Sequence, residues 1–169
     1  MKVIFLDIDG VLNSTKTSQA MGGYPQELYE REAFDWMAIR LLQRLADSSG
    51  VQFVLSSAWR LYFSFEDVAK AFDLPIIGAT PSSSADGTER GYEIRDWLTV
   101  HPEVDAYVIL DDDPDMLEEQ MSNFVKTDTN EGMSWKDFSQ VCSILGESPF
   151  AGEVRDRNWR DTKLGWEAA

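Results

Sequence analysis

The first ten residues, MKVIFLDIDG, place two aspartates directly behind an apolar run. Residues 3–6 predict a buried strand, and the glycine at position 10 predicts a turn. Residues two apart in a strand point to the same face, so we expect Asp7 and Asp9 to face the same way. Two such carboxylates repel each other unless a cation or a shared proton compensates them. An Asp-Gly turn explains Asp9 alone but not Asp7, so we interpret the pair as a functional site.

Apolar runs and helical periods alternate along the 169 residues, which predicts one α/β domain with a mainly parallel sheet covered on both faces. The predicted strands span residues 3–8, 51–55, 75–79, 106–110 and 124–126. Helices are predicted over about residues 31–47, 59–72, 90–100 and 134–145, the last opened by a capping box. We expect a catalytic domain over residues 1–146 and a C-terminal extension over residues 147–169, which carries Trp159 and Trp166.

Polar residues follow three of the predicted strands at the point where each strand ends. Asp7 and Asp9 follow the first strand, Ser56 and Ser57 the second, and residues 111–113, all aspartate, the fourth. Ligands of parallel sheets bind beyond the carboxyl ends of the strands. The sequence therefore predicts a site at this edge of the sheet.

The charge of the chain is strongly negative, with 15 Lys plus Arg against 30 Asp plus Glu and a formal net charge of −15. Such a field repels polyanions, which argues against tight polynucleotide binding. The same negative field favours the binding of divalent cations near clusters of carboxylates.

The chain has one cysteine, Cys142, and one histidine, His101, which exclude a disulfide framework, a thiolate metal site and a multi-histidine metal centre. For His101 we expect a surface or capping role. No apolar segment reaches the length of a membrane span, and Asp7 interrupts the N-terminal apolar run. We therefore expect a cytoplasmic protein with no signal peptide and no membrane partner.

Four motifs in order resemble those of the haloacid dehalogenase (HAD) superfamily, over residues 3 to about 130. The first is DIDGVL at residues 7–12, and the second is an apolar strand ending in Ser56. The third is a basic residue, Arg90 or Arg95, and the fourth is the run VILDD at residues 108–112. The run SSAWR, together with the sequence around the third and fourth motifs, is similar to small HAD domains of RNA-repair proteins.

The resemblance implies a Rossmann-like sheet and a magnesium-dependent phosphatase. In that scheme Asp7 attacks phosphorus, forms an aspartyl-phosphate and ligates the metal. Asp9 protonates the leaving oxygen, then activates water, and lends its backbone carbonyl to the metal. Asp112 completes the metal ligands, and Asp111 lies beside it.

The same resemblance assigns phosphate binding to Ser56, through a hydrogen bond, and to an arginine. We favour Arg90, at the start of a predicted helix, over Arg95, which lies inside that helix where a surface ion pair is expected. Arg60 is open to two interpretations, a substrate contact or a place on a helix surface. Asp113 and Asp115 are interpreted as helix N-caps, although metal ligation is the alternative.

HAD enzymes usually carry a cap insertion over the site. Residues 13–30 leave room only for a short flap here, and residues 80–89 leave almost none. The expected site is open, which suits a large substrate or a lid from a second copy in a homo-oligomer.

We therefore predict a phosphohydrolase that acts on a phosphomonoester, with a nucleic-acid end or a nucleotide as the first substrate class. A small-metabolite phosphatase and a phosphotransferase are the alternatives within the same chemistry. A degenerate HAD domain that serves as an interaction module is the alternative of another class, and it predicts a missing nucleophile or general acid. Toprim enzymes fit less well, because they have a glutamate on an earlier strand and the aspartate pair on a later one, and receiver domains fit less well, because they accept phosphate on a middle strand.

Overall fold

The computed structural model describes residues 1–82 and 90–151. Five parallel strands form one sheet in the order β3-β2-β1-β4-β5. The strands are β1 (Lys2–Leu6), β2 (Gln52–Leu55), β3 (Ile76–Ala79), β4 (Ala106–Asp111) and β5 (Phe124–Lys126). The helices are α1 (Thr15–Met21), α2 (Trp36–Ser49), α3 (Phe65–Phe72), α4 (Arg90–Thr99) and α5 (Trp135–Leu145). The predicted α/β fold with a five-stranded parallel sheet is confirmed.

Helices cover both faces of the sheet, as predicted. Along β1, Ile4 and Leu6 point into a core that also contains buried residues of α2, α3 and α5. Val3 and Phe5 point to the opposite face and pack with residues of α4. This alternation follows from the two-residue period of a strand, so a continuous apolar run can bury both of its faces.

The position of β1 in the centre of the sheet decides where the polar residues meet. Leu6 pairs with Leu55 of β2 on one side and with Leu110 of β4 on the other. The residues that come next along each strand are Asp7, Ser56 and Asp111. They therefore lie side by side at the carboxyl edge of the sheet.

Two helices begin later than predicted, because a polar side chain caps each of them. The Asp35 carboxylate accepts hydrogen bonds from two backbone N–H groups of the first turn of α2. The segment predicted as one helix over 59–72 is split into a 3₁₀ turn, Ala58–Leu61, and α3. The Ser64 hydroxyl accepts from the backbone N–H of Asp67 and sets the start of α3.

The sequence analysis missed α1 and the 3₁₀ turn Glu118–Asn123, and the first residues of the helix predicted over 31–47 form a separate 3₁₀ turn, Arg31–Ala33. Helix α1 lies in the segment predicted as a flap and buries only Ser18, so it lacks the apolar period that marks the other helices. Residues 83–89, in the segment 80–89 that leaves almost no room for a cap, lie outside the described residues, as do residues 152–169 of the C-terminal extension, including Trp159 and Trp166. No helix in the described ranges is long and apolar enough to cross a membrane.

Candidate active site

Asp7 is a buried carboxylate at the end of the central strand. Its backbone N–H donates to the carbonyl oxygen of Leu110, 3.1 Å away, which holds the residue against the end of β4. Its side chain is 7% exposed. Burial raises the pKa of the Asp7 carboxyl, although the Arg90 guanidinium and the Ser57 hydroxyl lower it.

Arg90, the first residue of α4, brings one positive charge to two buried carboxylates. Its Nη1 atom lies 3.3 Å from Asp7 Oδ1 and 3.0 Å from Asp111 Oδ2. The same nitrogen donates a hydrogen bond to the backbone oxygen of Ser56. Arg95 instead has a half-exposed side chain and pairs with Asp96 at 3.7 Å. Of the two arginines that fit the third motif, the structure therefore brings Arg90 to the aspartates.

Asp111 is the most deeply buried acid of the site, with no exposed surface. Burial, and after it the neighbouring Asp7 carboxylate, raises the pKa of Asp111 to about 8. Its Oδ1 accepts from the backbone N–H of Asp113. Its Oδ2 lies at ion-pair distance from Arg90 without hydrogen-bond alignment, and has no hydrogen-bond partner among the described residues. A cation bound beside Asp111 would favour the ionised form of its carboxyl group.

Three carboxylates form a cluster suited to a metal ion. One oxygen from each of Asp7, Asp111 and Asp112 lies within 4.8 Å of the others. Asp112 is partly exposed, and its Oδ2 accepts a hydrogen bond of 2.6 Å from the Thr129 hydroxyl. Carboxylate oxygens are the ligands that hard divalent cations prefer, so the donor set fits such an ion.

Gly10 allows the turn after Asp9 to pass directly against Asp112. Its φ of +72° lies in the left-handed region, and a Cβ atom there would stand 2.3 Å from the Asp112 carboxyl carbon. The Thr127 hydroxyl donates to the Gly10 carbonyl oxygen at 2.7 Å. The glycine of the first motif thus makes room for an acid of the fourth.

The Asp9 carboxylate is exposed and stands apart from the three-carboxylate cluster. The indole Nε1 of Trp59 donates to its Oδ2 at 2.9 Å, and the Asn13 amide donates to its Oδ1 at 2.7 Å. Asn13 also accepts from the backbone N–H of Gly10 at 3.1 Å. Two side chains that the sequence analysis did not assign to the site therefore hold Asp9 in place.

Comparison with protein families gives a match over residues 3–138 to the HAD domain in Swiss Army Knife RNA repair proteins. The match covers well over half of the chain. The chain belongs to this family. Searches of curated proteins and of solved structures gave no significant match. Family membership confirms the predicted HAD resemblance and supports a HAD-type phosphohydrolase in general.

The second HAD motif presents two serines, and the structure uses them differently. The Ser56 hydroxyl is buried and has no hydrogen-bond partner among the described residues, as is also true of the Thr80 hydroxyl after β3. The Ser57 hydroxyl contacts the Asp7 carboxyl and also accepts from the backbone N–H of Trp59. The role of Ser56 in phosphate binding stays a prediction, and Ser57 is an additional contact to Asp7.

Arg60 does not lie on a helix surface, which was one of its two interpretations, and the other, a substrate contact, stays a prediction. Its Nη2 lies 2.5 Å from a carboxylate oxygen of Glu93, and both side chains are buried. Its Nη1 donates to the backbone oxygens of Ser56 and Ser57. Arg60 therefore ties the second motif to α4 and helps to fix the loop that carries Trp59.

The prediction that Asp113 and Asp115 are helix N-caps is wrong, because the next helical turn, Glu118–Asn123, has Leu117 at that position. The Asp115 Oδ2 atom instead accepts a hydrogen bond of 3.3 Å from the backbone N–H of Arg90, at the start of α4. Asp113 is exposed and contributes its backbone N–H to Asp111. His101 stacks on Trp97 with ring centres 3.6 Å apart, and its Nδ1 atom lies 2.7 Å from the Trp97 backbone oxygen near the end of α4, in line with the expected capping role.

We expect Arg90→Ala to lower the kcat/KM of phosphomonoester hydrolysis by at least about tenfold, because a charge-assisted hydrogen bond contributes about 1.5–3 kcal/mol. Arg95→Ala is the matched control and should stay within about twofold. Thermal melting of Arg90→Ala and of the charge-conserving Arg90→Lys separates loss of folding from loss of catalysis. Normal activity in a folded Arg90→Ala variant would show that the phosphoryl group is bound elsewhere.

Proposed function

We propose that this chain is a magnesium-dependent phosphohydrolase that acts on a phosphomonoester through an aspartyl-phosphate on Asp7. The observation that carries this proposal is the arrangement around Asp7, with Arg90 Nη1 at 3.3 Å and oxygens of Asp111 and Asp112 within 4.8 Å. Membership of a family described from RNA-repair proteins supports a nucleic-acid end or a nucleotide as the substrate.

Asp7 is suited to act as the nucleophile because its carboxylate has a fixed position at a strand end. One of its oxygens forms a bond to phosphorus, and the bond from phosphorus to the leaving oxygen breaks. Asp9 gives its proton to that leaving oxygen. It then takes a proton from a water molecule that attacks the phosphoryl group, which restores Asp7 and releases inorganic phosphate.

Magnesium would supply positive charge that neutralises the oxygens of the phosphoryl group. We assign its ligands to Asp7, Asp112 and the backbone carbonyl of Asp9, with Asp111 beside them. The Arg90 guanidinium adds a fixed charge on the same side as Asp7. These positive charges reduce the repulsion between the Asp7 carboxylate and the phosphate ester, which are both anions.

The hydrogen bonds on Asp9 fit a group that both gives and takes a proton. Trp59 and Asn13 donate one hydrogen bond to each of its oxygens, which orients the carboxyl group while leaving it exposed. A small-metabolite phosphatase or a phosphotransferase would use the same first step. An interaction module without catalysis would not require both aspartates to be held in this way.

The buried Cys142 thiol fits the reducing cytoplasm that we propose as the compartment.

Metal dependence tests the proposal. We expect hydrolysis of an aryl phosphate to require magnesium, and Asp112→Ala to raise the magnesium concentration for half-maximal activity by about tenfold or more, with partial recovery at high magnesium. Asp113→Ala, which removes an exposed carboxylate next to it, is the matched control and should leave that concentration unchanged. Equal activity in excess chelator would contradict the proposal.

A further inference from the structure

A cavity of about 430 Å³ opens beside Asp9, within the range of small-molecule sites. Its walls come from Pro25 and Glu27 on one side, and from Trp59, Tyr62 and Phe63 on the other. The cavity is next to the group that protonates the leaving oxygen, so the leaving group of the reaction has to lie in or near it. A larger cavity, of about 570 Å³, lies at the opposite edge of the sheet, where β2 and β3 begin.

The wall beside Asp9 is aromatic and partly fixed. Trp59 is buried and stacks on Phe63, with ring centres 5.3 Å apart and an angle of 25° between the rings. The Trp59 indole nitrogen is engaged by Asp9, which fixes the position of the ring. Tyr62, by contrast, is 81% exposed although it lines the cavity. An exposed planar ring at the edge of such a cavity offers a stacking face to a planar ligand.

The charge of the lining selects against anionic leaving groups. Its ionisable carboxylates are Asp9 and Glu27, and within the described part of the chain no lysine or arginine lines the cavity. A second phosphate close to the leaving oxygen would meet this negative charge without a compensating cation. The lining therefore favours a leaving group whose part inside the cavity is neutral and planar over one that carries a phosphate or a carboxylate there.

We propose that the cavity binds a nucleoside as the leaving group, with its base against the Tyr62 ring and its hydroxyl oxygen at Asp9. This inference rests on the proposed phosphatase function. In the first step the bond between phosphorus and the nucleoside oxygen breaks while the bond between Asp7 and phosphorus forms. Asp9 donates a proton to that oxygen, which becomes the hydroxyl group of the free nucleoside. The nucleoside belongs either to a mononucleotide or to the terminal nucleotide of an oligonucleotide.

Substrate preference tests the inference. The full chain with magnesium is assayed on adenosine monophosphate and on glycerol phosphate, and the ratio of the two kcat/KM values is measured. We expect a ratio well above one for the native chain. Tyr62→Ala should reduce it by about five- to 150-fold, the range that loss of stacking on one base gives. Leu61→Ala is the control, because Leu61 is 58% exposed beside Tyr62 but does not line the cavity.

A dinucleotide with a terminal phosphate, assayed at low and high salt, distinguishes the two sources of the nucleoside. Preference for the mononucleotide or for the dinucleotide over glycerol phosphate supports the inference and identifies the source. A ratio near one to glycerol phosphate for both the mononucleotide and the dinucleotide, or an unchanged preference in Tyr62→Ala, overturns it, while hydrolysis of glycerol phosphate keeps the proposed function intact. Hydrolysis of none of the three substrates removes the proposed function and this inference together.

Discussion

Asp7→Asn is expected to abolish magnesium-dependent hydrolysis of an aryl phosphate, with a loss on the order of 10⁴-fold or more in kcat. The amide keeps the shape of the carboxyl group but cannot form the aspartyl-phosphate. It also replaces one of the three carboxyl groups whose oxygens lie within 4.8 Å of one another. Both effects act on the same step, so high magnesium should not restore activity.

The fold of the Asp7→Asn variant should survive, which makes the activity loss interpretable. Burial already raises the pKa of Asp7, so a neutral side chain of the same size is tolerated there, and Arg90 keeps its contact with Asp111. Circular dichroism and thermal melting should therefore match those of the native chain within a few degrees. A folded variant that retains full activity would remove Asp7 from the role of nucleophile.

The three central strands, β1, β2 and β4, were predictable because each contains a continuous apolar run with polar residues behind it. Residues 3–6, 53–55 and 108–110 are buried, and runs of this kind are typical of parallel strands covered on both faces. Since carboxyl ends of parallel strands share one edge, the aspartates behind these runs could be assigned to one site. This part of the site depends only on local sequence and on the topology of the fold.

The contacts of Asp9 could not be predicted in the same way. Trp59 lies 50 residues further along the chain, and its ring orientation depends on packing against Phe34 and Phe63. A buried indole needs an acceptor for its N–H, but the sequence does not identify which one. The ion pair of Arg60 with Glu93 has the same origin, a tertiary contact between residues 33 apart.

Helix α1 shows a different limit of sequence reasoning. Its residues TKTSQAM bury only Ser18, so no apolar period indicates a helix, and its start depends on the capping box between Ser14 and Thr17. Hydrogen bonds from the backbone N–H groups of Thr15 and Lys16 to the carbonyls of Thr129 and Asn130 fix the segment beside the site. The loop after α1 then reaches the cavity next to Asp9, a placement that comes from tertiary structure alone.

Asp9→Asn should slow turnover by about 10²–10⁴-fold, the contribution of a positioned general acid and base. The asparagine amide can still accept the hydrogen bond from Trp59, but it cannot give or take a proton. The loss should be largest for an alkyl phosphate and smallest for an aryl phosphate with a good leaving group, since a weakly basic leaving oxygen needs little protonation.

The metal cluster provides the internal control for this variant. The Asp9 side chain lies outside the group formed by Asp7, Asp111 and Asp112, and its backbone carbonyl is unchanged by the substitution. The magnesium concentration for half-maximal activity should therefore stay within about twofold of the native value, unlike that of Asp112→Ala. A loss below tenfold on the alkyl phosphate would exclude Asp9 as the general acid. A large rise in the magnesium requirement would instead place its carboxylate on the metal, and the hydrogen bonds from Trp59 and Asn13 would then have to rearrange when the ion binds.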